Sequence, residues 1–250
     1  MSRARNSLLA AAVADSGLAD NGAQGQPLLF DEARLSDDIW LALATCEAVA
    51  RAGGRIGGAQ AAAVLREWFD GQRFPNVGAD RMKPLRDLAA GVPWTGSGSA
   101  DRAARAAAAI RVAPLAFVLD ISNDADRASL DDVVRITSVD AGGEAAVLVG
   151  AVRGCVHGDA VPDERALADS SLIPSVAAAL RLAARHADDF EGALRAAEST
   201  DDERRVRVMT GFLLGAAGCA IPKHLLAALP ERAELEAVIE PFAQLLTAVA

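Results

Sequence analysis

Residues 36–51 read SDDIWLALATCEAVAR, and this stretch indicates the fold class. Ser36 suits an N-cap position, and Asp37 and Asp38 follow where a helix dipole favours negative charge. The glycines at 53–54 are expected to end the helix. A period near 3.6 predicts one buried face. The apolar residues on that face are Ile39, Leu43, Cys46, Val49 and Ala50.

The same periodicity runs through the remaining chain, and alternation typical of strands is missing. We therefore predict an all-α, compact multi-helix protein, with residues 1–250 forming a single domain. The stretch 70–99 is rich in Gly, Pro and Ser and is predicted to be a loop. The further predicted helices cover residues 57–69, 101–114, 125–137, 141–156, 174–186, 188–197, 202–217, 222–229 and 233–249.

Composition excludes several classes of function. The net charge of −9, the absence of Tyr and an aromatic content of 4% argue against nucleic-acid binding. The longest uncharged run, residues 208–222, is shorter than the ~20 residues that cross a bilayer. Cys46, Cys155 and Cys219 lack metal-binding spacing and are expected to be buried thiols in a reduced compartment. We expect a cytoplasmic protein with no membrane partner.

Three patches carry a more specific signal. The first is Leu35-Ser36-Asp37-Asp38-Ile39, followed by Leu41-Ala42-Leu43. The second is Ile110-Arg111-Val112-Ala113-Pro114-Leu115. The third begins at Phe190-Glu191-Gly192-Ala193-Leu194, continues through Asp202 to Gly211 and Gly215, and ends at Ile221-Pro222. In this order and spacing the patches resemble the ADP-ribosylglycohydrolase family of the dinitrogenase-reductase-activating type. The apolar segment ending in Asp15-Ser16-Gly17 is similar to the first helix of that family and its Gly-Asp turn.

The resemblance implies an all-α fold that holds two magnesium ions and hydrolyses ADP-ribosyl bonds. Mg²⁺ prefers octahedral oxygen ligands. By analogy, Ser36, Asp37, Asp38 and Asp202 are the residual candidates for metal ligands. The sequence does not assign the catalytic residues, and Asp37 and Asp38 are candidates for that role. Arg111 joins them as a candidate for the ligand pocket.

Several positions depart from the family pattern. Counting back from Gly211, the Asp-x-Asp-Thr motif of the family falls on Asp202, with Arg204 at the second Asp and Arg205 at the Thr. Both arginines are candidate pocket residues, and we expect no metal here. A register shifted by one residue would instead offer Asp201 and Glu203 as the acid pair. Ile39 replaces a second Thr of the first patch.

Further departures concern the ligand. The Gly-Asn-Gly loop of the family falls on Arg105-Ala106-Ala107, and its Thr-His falls on Thr137-Ser138. An alanine helix does not offer the backbone amides with which a glycine loop holds a pyrophosphate. No acidic residue clearly matches the family pattern after Asp15, and Asp20, Asp31 and Glu32 are loose candidates.

Two interpretations of the arginines stay open. Arg204 can replace a metal by pairing with Asp37, Asp38 and Asp202. Alternatively, 201–207 is a solvated helix start with a Glu203–Arg207 pair and with Ser199 or Thr200 as the cap. Arg111 can line the pocket or satisfy carbonyl groups at a helix end.

We therefore expect a family member with a degenerate metal site. It would be a pseudoenzyme or weak hydrolase that binds an ADP-ribose-like ligand, an ADP-ribosylated protein or another partner. One alternative is an active hydrolase with one Mg²⁺ or the shifted acid pair, so the sequence leaves open whether the protein is an enzyme. The other alternative is a structural or interaction protein without ligand. No cofactor is expected unless the magnesium site is retained.

Overall fold

The structure is a computed structural model that describes residues 2–17, 34–75, 77–161 and 172–249. This part of the chain contains thirteen α-helices and one short 3₁₀ helix. It contains no strand, and an isolated parallel bridge joins Ser99 to Ser138. The all-α prediction is thereby confirmed.

The helices follow most of the predicted segments within one to three residues. Their bounds are α1 Arg3–Ser16, α2 Asp37–Arg51, α3 Gly58–Asp70, α4 Ala79–Ala89, α5 Trp94–Ser97, α6 Ala103–Val112, α7 Asp124–Arg135, α8 Gly142–His157, α9 Pro174–Arg185, α10 Phe190–Ala197, α11 Glu203–Ala217, α12 Lys223–Ala228 and α13 Arg232–Val249. The 3₁₀ helix covers Ala113–Phe117, directly after α6.

The contacts group the chain into two units. Unit 1 contains Met1–Leu35 and Ala151–Glu234, and unit 2 contains Ser36–Gly150 and Leu235–Ala250. Each unit is therefore assembled from segments that are distant in sequence.

Helix α11 is the centre of unit 1 and packs against α1, α9 and α10. A Cβ atom at Gly215 would lie 2.5 Å from the Cα atom of Ser7, and one at Gly211 would lie 2.7 Å from the carbonyl oxygen of Ala10. Because these glycines lack side chains, the backbones of α1 and α11 approach closely. The Ser7 hydroxyl then donates a hydrogen bond of 2.7 Å to the carbonyl of Phe212.

In unit 2, helix α2 packs against α3, α6 and the 3₁₀ helix. Trp68 on α3 is fully buried, lies 6.5 Å from the Trp40 ring and donates its indole N–H to Glu47 at 3.0 Å. The guanidinium of Arg73 covers the Trp68 ring at 3.6 Å. Of the predicted apolar face of α2, Ile39, Leu43, Cys46 and Val49 are buried and Ala50 is half-buried.

The predicted loop 70–99 is wrong, because it contains α4 and α5. The Gly and Pro content suggested a loop, yet Pro84 lies inside α4. Leu85 and Leu88 are buried, and Lys83 pairs with Asp87 one turn later at 2.5 Å. Burial of these apolar side chains outweighs the unfavourable helix propensity of proline.

Two other predictions concern the interior and the membrane. Cys46, Cys155 and Cys219 are buried free thiols, as expected. Burial raises the pKa of the Cys155 thiol to about 11. Across the described ranges, every helix is too short or too polar to span a bilayer.

Candidate functional site

The first acidic pair begins helix α2. Ser36 has the extended backbone of an N-cap residue, and Asp37 and Asp38 form the first turn. Both aspartates are buried. Asp37 Oδ2 accepts a hydrogen bond of 2.7 Å from the backbone N–H of Gly78, the N-cap residue of α4. This carboxylate therefore lies at the amino terminus of its own helix and satisfies an amide at the start of another.

Ile39 follows the two aspartates and is 3% exposed. It extends the buried apolar face of α2 at the position where the family resemblance places a hydroxyl. This position therefore adds no oxygen donor to the acidic pair.

Arg204, in the first turn of α11, bonds to the last turn of α1. Its Nε donates to Asp15 Oδ1 at 2.8 Å, and one of its terminal nitrogens donates to Asp15 Oδ2 at 3.2 Å. That nitrogen also donates to the carbonyl of Arg34 at 2.8 Å. The Asp15 side chain is fully buried, whereas that of Arg204 is half-exposed. The pair is thus a bidentate ion pair, the geometry in which guanidinium binds a carboxylate most strongly.

Asp202 is the N-cap residue of α11, so the prediction that Ser199 or Thr200 caps this helix is wrong. The hydroxyls of Ser199 and Thr200 donate instead to carbonyl groups at the end of α10. A terminal nitrogen of Arg205 lies 3.9 Å from Asp202 Oδ2. This acidic residue therefore has a cation beside it.

The predicted Glu203–Arg207 ion pair is confirmed. Its surroundings differ from the solvated helix start, because Arg207 is buried and donates to the carbonyl of Ala14 at 3.1 Å. Burial lowers the pKa of Arg207, while the charges of Asp15 and Glu198 raise it. The start of α11 thus holds two arginines, Arg204 and Arg207, that bond to the end of α1.

Arg111, at the end of α6, is fully buried. Its guanidinium donates to the carbonyl of Val133 at 2.6 Å, to that of Val134 at 3.4 Å and to the Thr137 hydroxyl at 3.1 Å. Burial lowers the pKa of Arg111 to about 9. These contacts match the interpretation that Arg111 satisfies carbonyl groups at a helix end, here the end of α7.

Residues 105–107, where the resemblance places a glycine loop, belong to helix α6. Ala106 and Ala107 are buried, and Arg105 forms an ion pair with the buried Glu144 of α8. Glu144 Oε2 and the Ser138 hydroxyl are buried and have no hydrogen-bond partner among the described residues. The glycine-free segment is therefore a packed helix.

The sequence profile of the ADP-ribosylglycohydrolase family matches residues 1–172. The chain belongs to the ADP-ribosylglycohydrolase family. A solved structure titled "ADP-ribosylglycohydrolase-related protein complex" has the same fold, with a TM-score of 0.69, 24% identity and coverage of 98% of both chains. No curated protein matches the sequence.

The two comparisons differ in extent. The structural similarity covers nearly the whole chain, whereas the profile of the ADP-ribosylglycohydrolase family ends before α9. The segment with Asp202, Arg204 and Arg205 thus lies outside the matched residues.

The described residues contain no group of three or more His, Cys, Asp or Glu side chains arranged to hold a metal ion. Asp20, Asp31 and Glu32, the loose acidic candidates, lie outside the described residues.

Sequence reasoning missed the partner of Arg204 and the Arg105–Glu144 pair. Asp15 had only marked the end of an apolar run, yet an acid on the buried face of an apolar helix needs a cation or several donors. The acidic Asp15 at the end of an apolar helix was therefore the sequence feature that could have indicated a cationic partner. Glu144 follows two glycines in an apolar helix, and the same reasoning applies to it.

Proposed function

We propose that this ADP-ribosylglycohydrolase family member does not catalyse magnesium-dependent hydrolysis and instead acts by binding an ADP-ribose-like ligand without metal. The observation that carries the proposal is the bidentate pair between Arg204 and the buried Asp15. Where the family resemblance places a metal-binding carboxylate, this chain has a cation with its own internal counterion.

Charge supports the proposal. Replacing Asp by Arg changes the local charge by two units, and a unit pair at ~4 Å is worth about 4 kcal/mol at an effective dielectric near 20. Against a divalent ion the unfavourable change is larger. Arg204 also has its position fixed by two acceptors, the Asp15 carboxylate and the Arg34 carbonyl. A cation held in this way disfavours Mg²⁺ binding nearby.

The small number of available oxygen ligands also supports the proposal that the protein acts without metal. A magnesium ion takes six oxygen ligands in near-octahedral geometry. Arg204 and Arg205 supply none, Ile39 supplies none, and one oxygen of Asp37 is bonded to a backbone amide. We infer that the residues present do not fit the binuclear centre that the family resemblance implies.

Two observations argue against the alignment shifted by one residue. It needs Asp201 and Glu203 as the acid pair, but the Glu203 carboxylate is bonded to the buried Arg207. It also needs an additional residue before Gly211, and inserted residues in helices are commonly absorbed as π-bulges. Helix α11 is regular α-helix from Glu203 to Ala217. An active hydrolase with one magnesium ion or the shifted acid pair is therefore the less favoured alternative.

A second candidate is a structural or interaction protein without ligand. The observation that favours it is the packing of residues 105–107 into helix α6, with Arg105 bonded to Glu144. A helix in this place does not present the free amides of a glycine loop to a pyrophosphate.

The first experiment is a thermal melt with excess ADP-ribose, once with magnesium and once with EDTA. Ligand at ~100 times its dissociation constant adds about 2.7 kcal/mol to the free energy of unfolding. For 250 residues this raises the melting temperature by about 5–10 °C. We expect the same rise in both conditions. A rise that requires magnesium would overturn the proposal, and no rise in either condition would favour the ligand-free protein.

A second experiment asks whether the arginines alone prevent metal binding. The variant Arg204→Asp with Arg205→Thr restores the motif of the family, and Arg204→Met with Arg205→Thr is its matched control. We expect calorimetry to detect magnesium binding only by the first variant. Magnesium binding by the unmodified protein would contradict the proposed role of Arg204.

A further inference from the structure

Unit 2 contains a cavity of about 690 Å³ that involves none of the residues discussed as a candidate site. Its walls come from the turn after α2, the end of the 3₁₀ helix, the start of α7 and the last turns of α13. Small-molecule pockets in proteins commonly measure about 300–1,000 Å³. The cavity is therefore large enough for a small organic ligand.

About half of the accessible wall is apolar. Ile56 and Leu119 line it and are themselves almost fully buried, while Phe117 and Leu245 complete the apolar surface. The Phe117 ring is fixed by an edge-to-face contact with Phe242, at 6.2 Å between ring centres. These fixed side chains give the cavity a surface that favours a hydrocarbon or aromatic group.

The turn after α2 contributes open backbone to the wall. Gly53 has a φ of +63°, in the left-handed region that favours glycine, and a Cβ atom there would meet nothing within 4 Å. Gly53 therefore contributes backbone and no side chain to the wall.

The polar side chains that line the cavity differ in whether they already have a hydrogen-bond partner. Asp126 Oδ2 already accepts hydrogen bonds from the Asp120 amide at 2.7 Å and the Asn123 side chain at 3.1 Å. Ser129 donates to the carbonyl of Ala125. Arg55 is exposed, and none of the described residues forms an ion pair or hydrogen bond with its guanidinium. The lining thus contains one guanidinium, that of Arg55, and one carboxylate, that of Asp126, whose Oδ2 already accepts two hydrogen bonds.

We propose that this cavity binds a small amphiphilic anion, an organic acid whose carboxylate pairs with Arg55 and whose apolar body lies against Ile56, Phe117 and Leu119. A guanidinium and a carboxylate can form two parallel hydrogen bonds, which would orient the acid group towards the exposed Arg55. Burial of the apolar body supplies the remaining free energy of binding. This site does not depend on the function proposed for the family's own pocket.

The test titrates the full-length protein with sodium octanoate, and with octylammonium and octanol as probes with the same hydrocarbon tail. Calorimetry is expected to detect octanoate binding below about 10 mM, with octylammonium markedly weaker. Arg55→Gln should weaken octanoate binding about fivefold and leave octanol binding unchanged. Arg66→Gln is the matched control, because Arg66 lines a separate cavity of about 290 Å³ beside α3.

A second variant, Ser129→Phe, places a ring in the cavity and should abolish binding of octanoate and octanol together. Circular dichroism and the melting temperature show whether each variant is folded. The proposal is overturned if octanoate does not bind, if octylammonium binds equally well, or if folded Arg55→Gln and Ser129→Phe proteins bind octanoate like the unmodified protein.

Discussion

Arg204 in unit 1 and Arg111 in unit 2 differ in which group carries the buried charge. Arg204 is half-exposed and bonds to a carboxylate that is fully buried. Arg111 is itself fully buried, and its hydrogen bonds go to two carbonyl groups and one hydroxyl. In the first region the arginine neutralises a buried charge, and in the second it brings a charge into the interior.

The difference explains why an arginine is tolerated at position 204. Its charge is balanced by Asp15 on the helix that α11 packs against most extensively. Removing it would take the bidentate cation from a fully buried carboxylate, whereas removing Arg111 would take a donor only from neutral acceptors. Breaking a buried ion pair by removing one partner costs more than losing neutral hydrogen bonds. The following experiments test this ranking.

The largest loss of stability is expected from a substitution that forces α1 and α11 apart, because their close packing positions the Arg204–Asp15 pair. In Gly215→Val, the added Cβ would lie 2.5 Å from the Cα of Ser7, so backbone must move. We expect a loss of about 3–5 kcal/mol in the free energy of unfolding, measured by urea denaturation.

Gly143→Ala is the control for that substitution. A Cβ at this exposed position of α8 would meet nothing within 4 Å. Alanine there should leave stability unchanged or raise it by up to about 1 kcal/mol. Equal losses in the two variants would show that the close approach of α1 and α11 does not carry the effect.

An intermediate effect is expected for Arg204→Met. Loss of a buried ion-pair partner costs about 3–5 kcal/mol, and the partial exposure of Arg204 reduces this to about 2–3 kcal/mol. Urea denaturation gives the value. Adding Asp15→Asn removes the buried negative charge that Arg204 balances, so the double variant should recover at least part of the loss. A double variant less stable than Arg204→Met would contradict the charge-balancing role.

A smaller loss, about 1–2 kcal/mol, is expected for Arg111→Met, because three hydrogen bonds to neutral groups disappear while a desolvated charge is also removed. The comparison with Arg204→Met, made in the same denaturation assay, tests the ranking directly. If Arg111→Met were the more damaging substitution, the proposed distinction between the two regions would fail.

The pH dependence of stability tests whether Arg111 carries a desolvated charge. Burial lowers the pKa of Arg111 to about 9, whereas in the unfolded chain arginine keeps its proton to much higher pH. Above pH 9 the folded protein thus binds fewer protons than the unfolded one, and its stability rises with pH. Between pH 8 and 10 the stability of the unmodified protein relative to Arg111→Met should increase by about 1 kcal/mol. A constant difference would show that the charge of Arg111 is not desolvated.

The helices show how far local sequence can be interpreted. Helix α2 was predictable because its apolar spacing and its first-turn acids favour the same structure. Helix α4 was not, because Pro84 suggests a loop, and only burial of Leu85 and Leu88 stabilises the helix. The cap of α11 was also mispredicted, since Ser199 and Thr200 bond backward to α10 instead of forward.

The family resemblance named the residues on which the candidate site is argued, but not their partners in the structure. It singled out Asp37, Asp38, Asp202, Arg204 and Arg205 from short motifs in a fixed order. Asp15 lies 189 positions before Arg204, and Gly78 lies 41 positions after Asp37. Contacts over such separations depend on how helices pack, which a single sequence does not encode in any local pattern.

By itself, then, the sequence determined the helical class, the family resemblance and, by that resemblance, the arginines at the second Asp and the Thr of the family motif, because each depends on residue type and spacing. Only the tertiary structure decided which carboxylate neutralises Arg204, that Arg111 is buried at the end of α7, and that Arg55 lines a cavity together with Ile56, Phe117 and Leu119. The physical reason is that helix packing brings together segments that are distant in sequence. The resulting burial and charge pairing determine the free-energy cost of placing a charged side chain in the interior.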